Sequence, residues 1–243
     1  MMLKSALKMM AATAAFAVVH SFLATRSAKH TAARVFGERR RNAFYRAFYN
    51  GQSLVTFALL GLYARSLPDR TLYEVRGPAR WLMQGSRLAA CALAVHTARQ
   101  VGALRMMGVT EVREFLQGAE NVHPEPEAQG PALASDGQMK ITGAFRHTRH
   151  PMNFAPLPIL LLKPKMTVRL AAFAGASAVY FLLGSLHEES RLAEAYGDTY
   201  QDYRYSNVSF YLPVPEPKSM DQFSEANVDR RKFGTDTTES LRA

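Results

Sequence analysis

The sequence predicts an all-α, polytopic helical membrane protein with about five membrane helices, the last two forming a short C-terminal hairpin. Three observations predict it. Apolar residues are bunched into runs at 9–25, 48–64, 81–98, 152–162 and 170–186. Basic residues flank most of those runs. The remaining polarity is gathered in one Pro- and Glu-rich stretch and in the tail, so the mean hydropathy, at −0.14, makes the chain look more soluble than it is.

The first run lies between Lys8 and Arg26 and the second between Arg46 and Arg65. Both approach the roughly 20 residues that a spanning helix needs. The third carries Arg87 and His96, and Arg87 sits near one end, where a long side chain can snorkel. The fourth is short and interrupted by Pro156 and Pro158, so it reads as the first arm of the hairpin. The last is uncharged and rich in Ala, Gly and Ser, which lets helix backbones approach closely within a bilayer. This gives four spans and one short hairpin member. A cleaved signal peptide competes for the first run, because Lys4 and Lys8 precede it. No small-x-small cleavage site follows, however, and further spans come later.

Charge sets the orientation. Lys plus Arg number 30 against 20 Asp plus Glu, a net charge of +10. Residues 26–46 hold Arg26, Lys29, Arg34, Arg39, Arg40, Arg41 and Arg46 against Glu38 alone. Positive-inside reasoning puts this segment in the cytoplasm. Alternation then puts 67–80 outside, 99–150 inside, 163–169 outside and the tail inside. The expectation is a multi-pass protein of a bacterial-type inner membrane, its motifs facing the cytoplasm. Lys163 and Lys165 on an outer turn run against the rule. Retention at a lipid bilayer accounts for the basic residues, and no RNP-like string, zinc-ligand spacing or basic helix with interleaved aromatics points to nucleic acid. Cys91 is the single cysteine, which excludes an internal disulfide and any cysteine-rich metal site. It reads as a small buried hydrophobe.

Four regions follow: N-terminal transmembrane helices over 1–110, a cytoplasmic loop over 111–140, the hairpin and juxtamembrane segment over 141–213, and a disordered tail over 214–243. The loop carries Pro124, Pro126 and Pro131 among five glutamates and lacks apolar periodicity. It reads as a surface loop or a lid.

Two strings carry chemistry: Arg149-His150-Pro151-Met152-Asn153 and Glu188-Glu189. The hairpin brings them to one end. Gly143 permits an unusual backbone angle ahead of the first string, and Pro151 suits the first position of a helix. A helix N-terminus beside Arg149 favours a carboxylate or phosphate. Two carboxylates at a membrane edge cost solvation unless they meet cations. One of them suits an ammonium group, the other a ribose hydroxyl or a neighbouring Arg. Alone, each string reads equally as a plain helix start or a solvated face; together they are more specific.

Gly-x-x-Arg-x-x-Arg-His-Pro from Gly143, the apolar hairpin, Glu188-Glu189-x-x-Leu192, Tyr196-Gly-x-x-Tyr200-x-x-Tyr203 and Pro213 resemble the isoprenylcysteine carboxyl methyltransferase/phospholipid methyltransferase superfamily over about residues 140–213. Val19-His20-Ser21 and Tyr45-x-x-Phe48-Tyr49-Asn50 resemble its NnrU and methanethiol S-methyltransferase branches, less specifically.

The resemblance implies S-adenosylmethionine as cofactor on the cytoplasmic side and a small or lipophilic methyl acceptor, a thiol or carboxylate being favoured. His150, Pro151, Glu188 and Glu189 match the cofactor motif, with Arg149 and Gly143 in support. Asn153 stands where many relatives have Tyr, and Pro156 where Gly often stands; Asn153 retains donor and acceptor groups for the cofactor. Methyl transfer from a sulfonium is an in-line displacement that needs collinearity and exclusion of water but no protein nucleophile or metal. A thiol with a pKa near 8.5 needs help to ionise, whereas a carboxylate does not. Tyr203 and Arg204 are candidates to orient or pair with an anionic acceptor, or else pack the juxtamembrane segment. Three rival readings remain. A metal oxidase requires several His boxes where this chain has His147-x-x-His150 and His187. Haem ligation by His20 and His96 suits an NnrU-like role in nitrogen-oxide metabolism. A non-catalytic scaffold retains the fold alone.

Overall fold

The computed structural model describes residues 1–124, 129–131, 133 and 139–217. The chain is mostly helical: α1 (Met2–Ala24), α2 (Arg26–Phe36), α3 (Glu38–Ser66), β1 (Thr71–Glu74), α4 (Gly77–Val101), α5 (Ala103–Met107), α6 (Val109–Leu116), a 3-10 turn (Gly143–Arg146), α7 (Pro151–Phe154), α8 (Pro156–Leu161), β2 (Lys165–Thr167), α9 (Val168–Tyr196) and α10 (Asp198–Tyr205).

Of the five membrane helices expected, two meet both the length and the apolarity for crossing a bilayer: α1 and α9. They pack on each other, and α3 packs against α1. Met9, Leu60 and Leu67 form the buried seam there. Helices α3 and α4 have the length but carry more polar residues. Both nevertheless turn large apolar side chains outward, Phe48, Leu54 and Leu59 from α3 and Trp81, Leu82 and Leu88 from α4. The first hairpin arm, Pro151–Leu161, is too short to cross a bilayer and divides at Ala155 into α7 and α8, because Pro156 opens a new helix.

A two-stranded antiparallel ribbon departs from the all-α expectation. Strand β1, between α3 and α4, pairs with β2, between α8 and α9. The expected outer turns therefore do meet. Arg169 fastens them: its Nε pairs with Asp69 Oδ2 at 2.8 Å, and its Nη1 donates to the carbonyls of Ala64 and Leu67. Ala64 O also accepts from Leu67 N at the C-cap of α3, so the guanidinium adds to that cap and satisfies Leu67 O just beyond it. The basic turn that offended the charge rule has acidic company, since Lys165 Nζ lies 3.8 Å from Glu74 Oε2.

The opposite end gathers residues 26–46, the α5–α6 segment and the C-terminal region. Tyr45 donates to Leu23 O, Arg46 Nε to Met106 O and Asn42 Nδ2 to Val122 O. Arg26 pairs with Glu194 on α9. Two expectations are corrected here. Cys91 is exposed on α4 rather than buried, because it falls on the helix's outward face. Residues 111–116, read as loop, belong to α6, which seats against α3. The tail expected to be disordered lies outside the described residues beyond residue 217.

Replacing Arg169 with Ala removes the guanidinium from Asp69 Oδ2 and from the carbonyls of Ala64 and Leu67, while Asp69 Oδ1 keeps the backbone N–H of residues 70 and 169. Loss of such bonds costs about 1–3 kcal/mol. Thermal unfolding in detergent is expected to begin lower in Arg169→Ala than in wild type; an unchanged midpoint contradicts the fastening role.

Candidate functional site

The site is built on a turn that favours glycine. Gly143 has φ +54°, and a Cβ there would stand 2.4 Å from Gln100 Nε2 and 2.7 Å from His96 Nε2. Gln100, near the end of α4, clasps the turn by donating from Nε2 to Thr142 O at 3.0 Å and accepting from Ala144 N at 3.3 Å. Phe145 then points into a core with Met139, Leu192, Tyr200, Tyr203 and Val208. The next residues are laced to the segment after α10: Arg149 N donates to Ser209 O, Thr148 Oγ1 to Tyr211 O and Val214 N to His147 O.

That lacing delivers Arg149 and His150 to the carboxylate pair on α9. Arg149 Nε lies 2.9 Å from Glu189 Oε1, and its Nη2 reaches Oε2 at 3.4 Å. His150 bridges both acids, Nδ1 to Glu188 Oε2 at 3.2 Å and Nε2 to Glu189 Oε1 at 2.9 Å. Gly197, with φ +53°, folds α10 back on α9. Tyr200 Oη thereby donates to Glu189 Oε1 at 2.6 Å, while Arg204 Nε lies 3.4 Å from Oε2. Glu188 accepts from Gln129 N at 2.7 Å and from Asn153 Nδ2 at 3.1 Å.

Protonation follows from these contacts. Carboxylates accept and do not donate, so a ring with both nitrogens on carboxylates is satisfied only as the imidazolium. Burial pushes the His150 pKa down, but bonds to Glu188 and Glu189 outweigh it and raise the pKa above 6.5. Burial alone pushes the Glu189 carboxyl up; His150, Tyr200 and Arg149 outweigh it and bring the pKa down from 4.5 to about 2. Burial and Glu189 both raise the Tyr200 pKa, keeping its hydroxyl a donor.

Beside this cluster, with Gln129 on its wall, lies a cavity of about 380 Å³. His20, Arg46, Tyr49, Asn50, Met106 and Met107 line it. Tyr49 Oη lies 2.5 Å from His20 Nε2, and His20 Nδ1 lies 2.8 Å from Ser53 Oγ. Ser53 spends its own proton on Tyr49 O at 2.7 Å and accepts from Gln52 Nε2. It must therefore accept from His20 as well. The bonding assigns the proton to Nδ1 and makes Nε2 the acceptor of the Tyr49 hydroxyl.

The expected cofactor residues Arg149, His150, Asn153, Glu188 and Glu189 thus come together, with Pro151 buried at the first position of α7. Gly143 stands apart as a shaping residue. The anion expected at Arg149 proves to be the protein's own Glu189. Arg204 reaches the cluster. Tyr203, a candidate for the acceptor, instead sits fully buried with its hydroxyl on Phe145 O at 2.6 Å, which makes it a positioning residue. Haem ligation by His20 meets a direct obstacle: both ring nitrogens are engaged by α3 side chains. Sequence reasoning missed Tyr200 and Gln129. The aromatic spacing after Gly197 is a signal for Tyr200; nothing in the sequence marks a backbone N–H.

A model of the NnrU protein family matches residues 8–157. The chain belongs to the NnrU family. The matched span takes in His20, Tyr49, Arg149 and His150, and ends before the glutamates. A methanethiol S-methyltransferase of Pseudomonas deceptionensis is 36% identical over 87 residues, covering 36% of this chain and 33% of that protein. Methanethiol S-methyltransferase 2 of Bradyrhizobium diazoefficiens is 25% identical over 189 residues, covering 78% of this chain and 66% of that protein. The NnrU-family chain therefore spans a third of the length of one relative and just under two thirds of the other. These similarities accord with the isoprenylcysteine carboxyl methyltransferase-like superfamily that the motifs resemble. No solved structure matches.

Two outcomes are expected of this NnrU-family site. Gly143→Ala forces a left-handed angle costing about 1–2 kcal/mol, before the clash with Gln100 is counted. Its thermal midpoint should fall by several degrees, and equality with wild type contradicts the close approach. For pH, stabilisation by His150 is complete below 6.5 and lost as pH rises through its raised pKa. That from Glu189 is complete above 4.5 and lost as pH falls toward about 2. The difference in midpoint between wild type and His150→Gln should therefore be greatest between 4.5 and 6.5 and shrink at higher pH.

Proposed function

We propose that this protein is an integral-membrane methyltransferase that moves a methyl group from S-adenosylmethionine to a small, neutral thiol at the Glu188–Glu189 end of its bundle. The observation that carries the reading is the Arg149–His150–Glu188–Glu189 cluster standing beside a cavity, in a chain whose relatives are named for a methyltransferase acting on a thiol.

The residues present fit the cofactor. Glu188, partly exposed, retains capacity to accept from an ammonium or a ribose hydroxyl, and Arg204, half-exposed, suits a carboxylate. Glu189 is already saturated by donors from four side chains, so its task is to hold the others in place. When bound, S-adenosylmethionine supplies an electrophilic methyl group on a sulfonium. The protein orients the acceptor in the adjoining cavity and keeps water from it; fixed geometry of this kind is itself worth orders of magnitude in rate. We read α3 and α4 as spans beside α1 and α9, since their outward faces are apolar, and the short α7–α8 arm as a fifth, partial member. The basic 26–46 segment supports a cytoplasmic side for the site.

Calorimetry with S-adenosylmethionine on detergent-purified protein tests the reading. Wild type is expected to bind, Glu188→Gln to bind at least about tenfold more weakly through loss of one charged contact, and addition of ethanethiol to yield ethyl methyl sulfide. A folded wild type that neither binds the donor nor forms the thioether overturns it.

A further inference from the structure

The His20–Tyr49 pair lies outside the cluster that the motifs marked, yet both residues line the cavity next to it. We propose that this pair is the proton acceptor for the thiol, with Tyr49 touching the substrate and His20 receiving the proton through it. The inference rests on the thiol methyltransferase reading and names the group that makes a neutral thiol reactive.

The hydrogen-bond order carries the argument. Ser53, with its proton on Tyr49 O and a second donor from Gln52, can only accept from His20, so it fixes the imidazole in the tautomer with Nε2 free to accept. Tyr49 Oη donates to that nitrogen at 2.5 Å, and its remaining lone pair is the group available to a ligand in the cavity. The cavity's other polar residues reinforce this polarity. Arg46 Cζ lies 5.4 Å from the Tyr49 ring centroid, held there by its bond to Met106 O. Tyr180, on α9, presents its ring edge-on to His20 and bonds to Ser21 rather than to the pair. Arg46 on the cavity wall thus favours an anion where the thiol would sit, and Met106, Met107 and Ala98 complete a wall suited to a small alkyl group.

A thiol is a nucleophile only as its thiolate. The thiol S–H proton passes to Tyr49 Oη as the Tyr49 proton passes to His20 Nε2, leaving Tyr49 neutral and His20 an imidazolium. The sulfur keeps the electron pair of its S–H bond and uses it to form the new bond to the methyl carbon. The pair of the broken methyl–sulfonium bond leaves with the donor as a neutral thioether, and His20 later releases its proton to water. Charge and atoms balance without any further reactant.

The test uses full-length protein in detergent with ¹⁵N-labelled histidines and 2,2,2-trifluoroethanethiol as probe. Its ¹⁹F signal reports binding without any methyl donor. Bound thiol is expected to convert the His20 nitrogen signals to those of an imidazolium in wild type and not in Tyr49→Phe. With donor present, Tyr49→Phe should slow methylation of ethanethiol by about 10²–10⁴-fold, the usual worth of a positioned base. It should slow trifluoroethanethiol, which ionises far more readily, by under about tenfold. Thiol that binds while His20 stays neutral, or equal losses for both thiols, overturns the relay and leaves the methyltransferase reading intact. Failure of the same sample to bind S-adenosylmethionine overturns that reading first, and the relay with it.

Discussion

Everything at the functional end hangs on one buried carboxylate. Glu189 takes bonds from His150 and Tyr200 on a single oxygen, shares that oxygen with Arg149, and meets Arg204 with the other. A carboxylate taken from water without partners is strongly unfavourable, while one ringed by cations and hydroxyls becomes an organising centre. The four side chains come from two stretches of chain, the turn before α7 and α10 folded back on α9, both converging on Glu189 of α9. Neither of these stretches is long enough to hold its place alone. The carboxylate joins them, and the apolar core of Phe145, Leu192, Tyr200 and Tyr203 seals the junction beneath.

The glutamates divide their labour by environment. Glu189 is saturated, so it shapes. Glu188 is held by a backbone N–H, Asn153 and His150, yet keeps an exposed edge, so it can recognise. Adjacent residues on a helix point in different directions, and one step along α9 carries the chain from architecture to recognition.

Much of this was legible in the sequence, and the reasons for the rest are physical. Arg149-His150 and Glu188-Glu189 stood out because paired charges at the edge of an apolar run are costly unless matched. That each would match the other, rather than a ligand, depends on the angle set by Gly143 and Gln100 and by Gly197, which no spacing encodes. Cys91 was misread because an apolar run does not say which of its faces is outward; in a bilayer both are apolar. Helix α6 was missed because its short amphipathic pattern sits beside a Pro- and Glu-rich stretch that resembles loop. His20 was singled out, but its partners Tyr49 and Ser53 lie on a different helix, and their pairing needed the fold.

The ribbon of β1 and β2 has a mechanical meaning. It clips the α3–α4 connection to the α8–α9 connection at the end away from the cavity, with Arg169 as its rivet. The opposite end is tied separately, by Arg26 to Glu194 and by Arg46 to Met106 O, so the bundle is fastened at both ends. Tyr49 and Arg46 from α3 and Glu188 and Glu189 from α9 are therefore held at a set spacing, like rungs between two clamped rails.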